Sequence, residues 1–200
     1  MMFEAVFLDR DGVINEEEGI ISRAEQLRLI DGAGEAIARL NAAGIPVVVI
    51  TNQPVVARGL CTEAEVDGLH EHLRGLLSAH GAKLDAIYFC PHHENADVPA
   101  YRVVCDCRKP RPGLLLRAAA EHGFDLARCV MIGDRTVDLA AARAAGCVAW
   151  LSQTGFAGSD GKCYVAPDRV FPDLGDAVNE ILSISDYMTA DSPTQGYRYV

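Results

Sequence analysis

The apolar run Ala5-Val6-Phe7-Leu8 ends in Asp9-Arg10-Asp11-Gly12, which sets two carboxylates one residue apart. Carboxylates this close repel unless they share a proton or a cation. Mg²⁺ is the usual partner, because a hard cation takes oxygen ligands and works beside substrate phosphate. The bland alternative is a strand ending in a solvated Asp11-Gly12 turn. Two later apolar runs also end in polar residues: Thr51 closes the run through Val47-Val48-Val49-Ile50, and Asp134 follows Cys129-Val130-Met131-Ile132-Gly133. Lys109 stands just ahead of a helical pattern. Phosphoryl transfer needs an in-line nucleophile, donors around the equatorial oxygens and a cation against the charge. Three carboxylates, a hydroxyl and an ammonium supply those parts. Asp9, ionised at neutral pH, can attack and form a covalent intermediate. Singly, Asp134 could merely cap a helix and Lys109 could be a solvated charge; the set taken together outweighs both.

A second constellation is Cys90-Pro91-His92-His93 with Cys105-Asp106-Cys107. Cys90, His92, Cys105 and Cys107 offer three thiolates and an imidazole, a closed tetrahedral zinc set with no position left for catalysis. Each pair is spaced more tightly than in common zinc fingers, and on spacing alone His93 could replace His92. A disulfide from Cys90 to Cys105 or Cys107 is the alternative, and it leaves a thiol over.

These residues need elements to hold them. Short apolar runs read as strands near 5–8, 45–50, 84–89, 129–133 and 147–151, apolar on both faces as helix-covered strands are. Between them fall helices: 33–43 stopped by Gly44, one opened by the Thr62/Glu65 capping box and ended at Gly81, one started at Pro112 and closed by Gly123, and one from about Val137 stopped by Gly146. A last helix is expected near 173–182. This alternation predicts an α/β fold, a doubly wound parallel sheet, since parallel neighbours need crossover connections. In such a sheet the carboxyl ends of the strands line the ligand crevice, where Asp9, Asp11, Thr51 and Asp134 would meet. The expected organisation is one domain over 1–185, a zinc-held loop at 90–107, no large cap domain, and a tail from 186 to 200.

Two hundred residues, half of them hydrophobic, are enough for one real core. No apolar stretch reaches the ~20 residues of a membrane helix, and charged Glu4, Asp9 and Arg10 interrupt any signal-peptide core. A cytoplasmic protein is expected. An odd seven cysteines suit a metal site in a reducing compartment better than a disulfide framework. A net charge of -10 argues against a nucleic-acid partner. An anionic substrate would then need local cations, and Arg10, Arg58, Arg108, Lys109, Arg111 and Arg135 fall in predicted loops. Cys129 and Cys147 read as small core residues, and His70, His72, His80 and His122 receive no function.

Leu8-Asp9-Arg10-Asp11-Gly12-Val13-Ile14-Asn15, Thr51-Asn52-Gln53, Arg108-Lys109-Pro110 and Gly133-Asp134 together resemble the four motifs of the haloacid dehalogenase superfamily of phosphatases. Within it, the Cys-x-His and Cys-x-Cys pair resembles the branch holding heptose 1,7-bisphosphate and histidinol-phosphate phosphatases. The resemblance spans about Ala5 to Gly146. It implies Asp9 as nucleophile and Mg²⁺ ligand, and Asp11 as the acid and then base that also lends a backbone carbonyl to the metal. Asp134 would complete the Mg²⁺ set, with Asp138 as outer support. Thr51 and Lys109 would hold the phosphoryl oxygens, and Asn52, Gln53, Arg58, Arg108 and Arg135 would contact a small phosphorylated sugar. The implied zinc ligands are Cys90, His92, Cys105 and Cys107. The implied reaction is Mg²⁺-dependent hydrolysis of heptose 1,7-bisphosphate at its C7 phosphate, with histidinol phosphate as the alternative substrate. Pro54-Val55-Val56 departs from the Ser-Gly-Ile expected in the heptose enzymes and stiffens a loop that faces substrate. A monomer is the favoured state. The rival from another class is a phospho-acceptor signalling domain, which should end its third strand in aspartate; Cys90 stands there instead.

Overall fold

Six short runs dominated by apolar residues pair into one sheet in the computed structural model, which describes residues 3–190, the side chains of 185–190 excepted. The strands are β1 (Ala5–Leu8), β2 (Val47–Asn52), β3 (Ala86–Cys90), β4 (Cys129–Gly133), β5 (Val148–Ser152) and β6 (Arg169–Phe171). All neighbours are parallel, in the order β3-β2-β1-β4-β5-β6. The helices are α1 (Ala33–Ala42), α2 (Glu63–Ser78), α3 (Gly113–His122), α4 (Thr136–Ala145) and α5 (Leu174–Ala190). The Thr62/Glu65 capping box forms as expected, and Gly146 ends α4 in the left-handed region at φ 84°.

Because side chains alternate across a strand, β1 sends Val6 and Leu8 to one layer and Ala5 and Phe7 to the other. The first layer packs on α1, α2 and α5 through Ile37, Leu40, Leu73, Leu77, Val178 and Ile181. The second packs on α3 and α4 through Leu114, Leu115, Ala118, Leu139 and Ala142. The order in which strands are added across the sheet reverses between β1 and β4, the switch point at which doubly wound sheets open a crevice. Leu8 lies in register with Ile132, so Asp9 and Asp134 leave adjacent strands at nearly the same height.

Three expectations need correction. A sixth strand, β6, lies at the edge. The last helix runs past 182 to Ala190, so the expected tail from 186 begins inside α5, and 191–200 lie outside the described residues. The third strand starts at Ala86 rather than Leu84. Among the described residues, no helix is long and apolar enough to cross a membrane.

Candidate active site

Lys109 is the hub. Its ammonium donates to Ile50 O at 2.8 Å and forms ion pairs with Asp9 Oδ1 at 2.9 Å and Asp138 Oδ1 at 2.6 Å. Burial works against the charged lysine, but the charges of Asp138 and Asp9 outweigh it and raise its pKa. Asn52 fixes the backbone on which the lysine stands: its Nδ2 donates to Lys109 O at 3.1 Å and its Oδ1 accepts from Lys109 N at 3.0 Å.

Ligand oxygens of Asp9, Asp134 and Asp138 lie within 4.8 Å of one another, and all three residues are buried. One ammonium does not balance three carboxylates. Burial, followed by the charge of Asp9, pushes Asp134 up to about 8. Its Oδ2 accepts from Phe156 N at 2.8 Å, while its buried Oδ1 has no hydrogen-bond partner among the described residues. Asp9 Oδ1 takes both the lysine and Arg10 N, leaving Oδ2 without a partner among the described residues. Unpaired oxygens on a net-negative cluster fit a hard divalent cation. Asp134 does not cap α4, since Asp138 Oδ2 takes that place by accepting from Arg135 N at 3.0 Å. Gly12 and Gly155 both close on Asp134 Oδ2, so a Cβ at either would collide with it.

Asp11 faces elsewhere. Its carboxylate takes Arg10 Nε and Nη2 at 2.9–3.0 Å, Asn15 Nδ2 at 2.8 Å and Gln53 Nε2 at 2.9 Å. Burial pushes it up, but the Arg10 charge and the hydrogen bonds of Asn15 and Gln53 prevail and hold it below the usual carboxylate range. Arg10, expected as a loop cation for an anionic substrate, is instead fully buried and committed to Asp11 and Gln53. His70, given no function above, lies 3.4 Å from Arg10 Nη1, and burial with the Arg10 charge drives its pKa down to about 3. The available signal was its place on the apolar face of α2, beside Val66, Leu69, Leu73 and Leu77. Gln53 also donates to Thr51 Oγ1 at 2.9 Å. The amides of Asn52 and Gln53, expected on substrate, are thus engaged with protein.

Over this floor opens a cleft of about 780 Å³ whose wall carries Arg58, Arg108, Arg111, Arg135 and Lys162. Arg135 is held by Glu17 at 2.8 Å and lies 3.8 Å above the Phe156 ring. Arg108 donates to His92 O at 2.9 Å and Arg111 to Cys105 O at 2.7 Å. Both therefore lean on the cysteine loop. There, Cys107 Sγ is 3.1 Å from both Cys90 and Cys105, Cys90 and Cys105 are 3.6 Å apart, and His92 Nδ1 is 3.3 Å from Cys107. The cysteines are free, and these gaps far exceed an S–S bond of about 2.05 Å. They approach the roughly 3.8 Å edge of a tetrahedron built on metal–sulfur bonds of about 2.3 Å. His93 turns away from the thiols, with its Nδ1 accepting from Asn95 N at 3.0 Å.

A lysine-bridged carboxylate cluster at the switch point of a doubly wound sheet defines an α/β enzyme built for cation-assisted chemistry on a small anionic ligand. Residues 3–146 match the model of the haloacid dehalogenase-like hydrolases, and the chain belongs to that family. It is 46% identical over 142 residues to a D-glycero-β-D-manno-heptose-1,7-bisphosphate 7-phosphatase of Rhodopseudomonas palustris, covering 71% of this chain and 79% of that one. It is 45% identical over 185 residues to a D-glycero-D-manno-heptose-1,7-bisphosphate 7-phosphatase of Thermosynechococcus vestitus, covering 88% of this chain and 94% of the other. The crystal structure of a D,D-heptose 1,7-bisphosphate phosphatase from B. bronchiseptica, complexed with magnesium and phosphate, superposes with a TM-score of 0.80. The two are 34% identical over 90% of this chain and 99% of that one.

Proposed function

We propose that the protein is a Mg²⁺-dependent phosphatase that removes the C7 phosphate of D-glycero-D-manno-heptose 1,7-bisphosphate. The observation that carries the reading is the Asp9–Lys109–Asp138–Asp134 cluster at the foot of a cleft walled by cations. The names of the relatives support the choice of sugar. Asp9, Asp134 and the Asp11 backbone carbonyl would hold Mg²⁺, with Asp138 behind them. That cation would neutralise charge on the transferred phosphoryl group.

Asp9 attacks phosphorus through the oxygen that no protein group occupies, and an aspartyl phosphate forms as the sugar oxygen leaves. Lys109 holds the attacking carboxylate in place and lends positive charge beside the phosphoryl oxygens, with Thr51 as a further donor. To give the leaving oxygen its proton, Asp11 must first be protonated against the pull of Arg10, Asn15 and Gln53; once ionised, it takes a proton from the water that hydrolyses the intermediate, which restores the acid for the next turnover. Its Arg10, Asn15 and Gln53 partners favour the ionised form needed for that second step. Asn52 and Gln53 serve by fixing Lys109 and Asp11, while Arg58, Arg108 and Arg135 face the sugar from the cleft wall. The protein works in the cytoplasm as a monomer.

A phosphate-release screen with Mg²⁺ tests the substrate. It should place heptose 1,7-bisphosphate at least tenfold above heptose 7-phosphate and histidinol phosphate in kcat/KM. Equal rates on bisphosphate and monophosphate would remove the argument from the cationic wall.

The Cys90, His92, Cys105 and Cys107 cluster reads as a structural Zn²⁺ site. Cys107 is two residues from Lys109, and Arg108 and Arg111 bond to carbonyls of the same loop, so whatever fixes the cluster fixes the hub and part of the wall. Metal binding is then folding free energy for residues 90–107. Cys107→Ser should raise KM, lower kcat or do both, and admit protease between 90 and 107 while the sheet stays folded. Active, freshly purified protein free of zinc, or wild-type kinetics in the variant, would end the zinc reading.

A further inference from the structure

Most cations in the cleft already have protein acceptors. Lys109 has three, Arg135 has Glu17, Arg108 has His92 O and Arg111 has Cys105 O. Among the described residues, Arg58 and Lys162 are the cleft cations with neither an ion pair nor a side-chain hydrogen bond, although Glu94 and Asp160 line the same cleft. An uncompensated cation on a cleft wall is the group that a second dianion needs.

Lys162 is also placed there by a built turn. Thr136, the first residue of α4, donates its N–H to Asp160 Oδ1 at 2.8 Å and accepts from Cys163 N through Oγ1 at 3.0 Å. Those two bonds pin the chain on both sides of Lys162, and between them Gly161 turns at φ 61°, a conformation that glycine adopts without strain. The helix that begins two residues after Asp134 therefore carries the lysine on the same rigid base as the carboxylate cluster. The turn lies beyond the residues 3–146 that match the family model.

We propose that Lys162 binds the phosphoryl group that is not transferred, and so is a specificity-determining residue for bisphosphates. The inference rests on the phosphatase reading but not on the identity of the sugar. One charge-assisted contact of this kind changes affinity by about 10- to 100-fold.

Lys162→Met, Lys162→Arg and the wild type should be assayed on heptose 1,7-bisphosphate, on fructose 1,6-bisphosphate, and on the monophosphate matched to each. Lys162→Met should lower kcat/KM for the bisphosphate about 10- to 100-fold, chiefly through KM, and lower it less than threefold for the monophosphate. Lys162→Arg should recover most of the loss. An equal fall on both substrates, an unchanged ratio in Lys162→Met, or a wild type with no preference for any bisphosphate would each overturn the proposal. A wild type that prefers fructose bisphosphate to its monophosphate yet ignores heptose bisphosphate would refute the sugar assignment alone, and Lys162 would still be judged on the fructose pair.

Discussion

Asp9→Asn should abolish turnover, with a loss on the order of 10⁴- to 10⁶-fold, the scale on which other enzymes lose rate when a nucleophile is removed. The amide has nearly the volume of the carboxylate, and its oxygen can still accept from Arg10 N and Lys109, so the fold should persist and only the attacking charge is lost. Asp11→Asn gives the contrast. Removing proton transfer typically costs ~10²- to 10⁴-fold, and the hydrolytic step suffers because Asp11 is held in its ionised form by Arg10. A phosphorylated protein should then build up and be visible by intact mass after an acid quench. Near-normal turnover by Asp9→Asn would rule out the covalent route.

Lys109→Met should strike stability and activity together. The ammonium is almost wholly buried and is shared by Asp9 and Asp138, themselves buried. Methionine fills similar space but leaves two facing carboxylates without their shared cation and the Ile50 carbonyl without its lysine donor. Taking one partner from a buried ion pair costs about 3–5 kcal/mol, a large share of the 5–15 kcal/mol by which domains are stable. For a chain of this size that is a fall in Tm of roughly 10 °C. Added Mg²⁺ should recover part of it by neutralising the same carboxylates, while phosphate release stays near background. A variant that melts like the wild type in EDTA would show that Lys109 is not the hub described here.

The sequence exposed the fold's centre better than its edges. β1, β2 and β4 are continuous apolar runs because helices cover both their faces, and polar residues at their ends betrayed the crevice. β6 was illegible for the opposite reason: Arg169-Val170-Phe171 is short, half exposed, bracketed by Pro167 and Pro172, and paired in the sheet with β5 alone. The site's residues could be named from their spacing, but not which way each would face. Arg10 read as a loop cation because nothing local shows that Gln53 and His70 close over it. Asn52 and Gln53 read as substrate contacts because their bonds to Lys109 and Asp11 span more than forty positions. Lys162 carried no motif; its position depends on Thr136, in another element.

Gly12 and Gly155 both close on Asp134 Oδ2 without room for a Cβ, and Gly155 would also meet the Gly12 backbone. Three loops are thereby locked like a keystone course, in which no block can be recut without moving its neighbours. Retargeting the enzyme by directed evolution should therefore fail at these glycines and succeed farther out, where Arg58, Val103, Val104 and Lys162 form a rim that can change shape. The molecule separates a fixed engine from an exchangeable mouth, and new substrates would be acquired by redrawing the mouth.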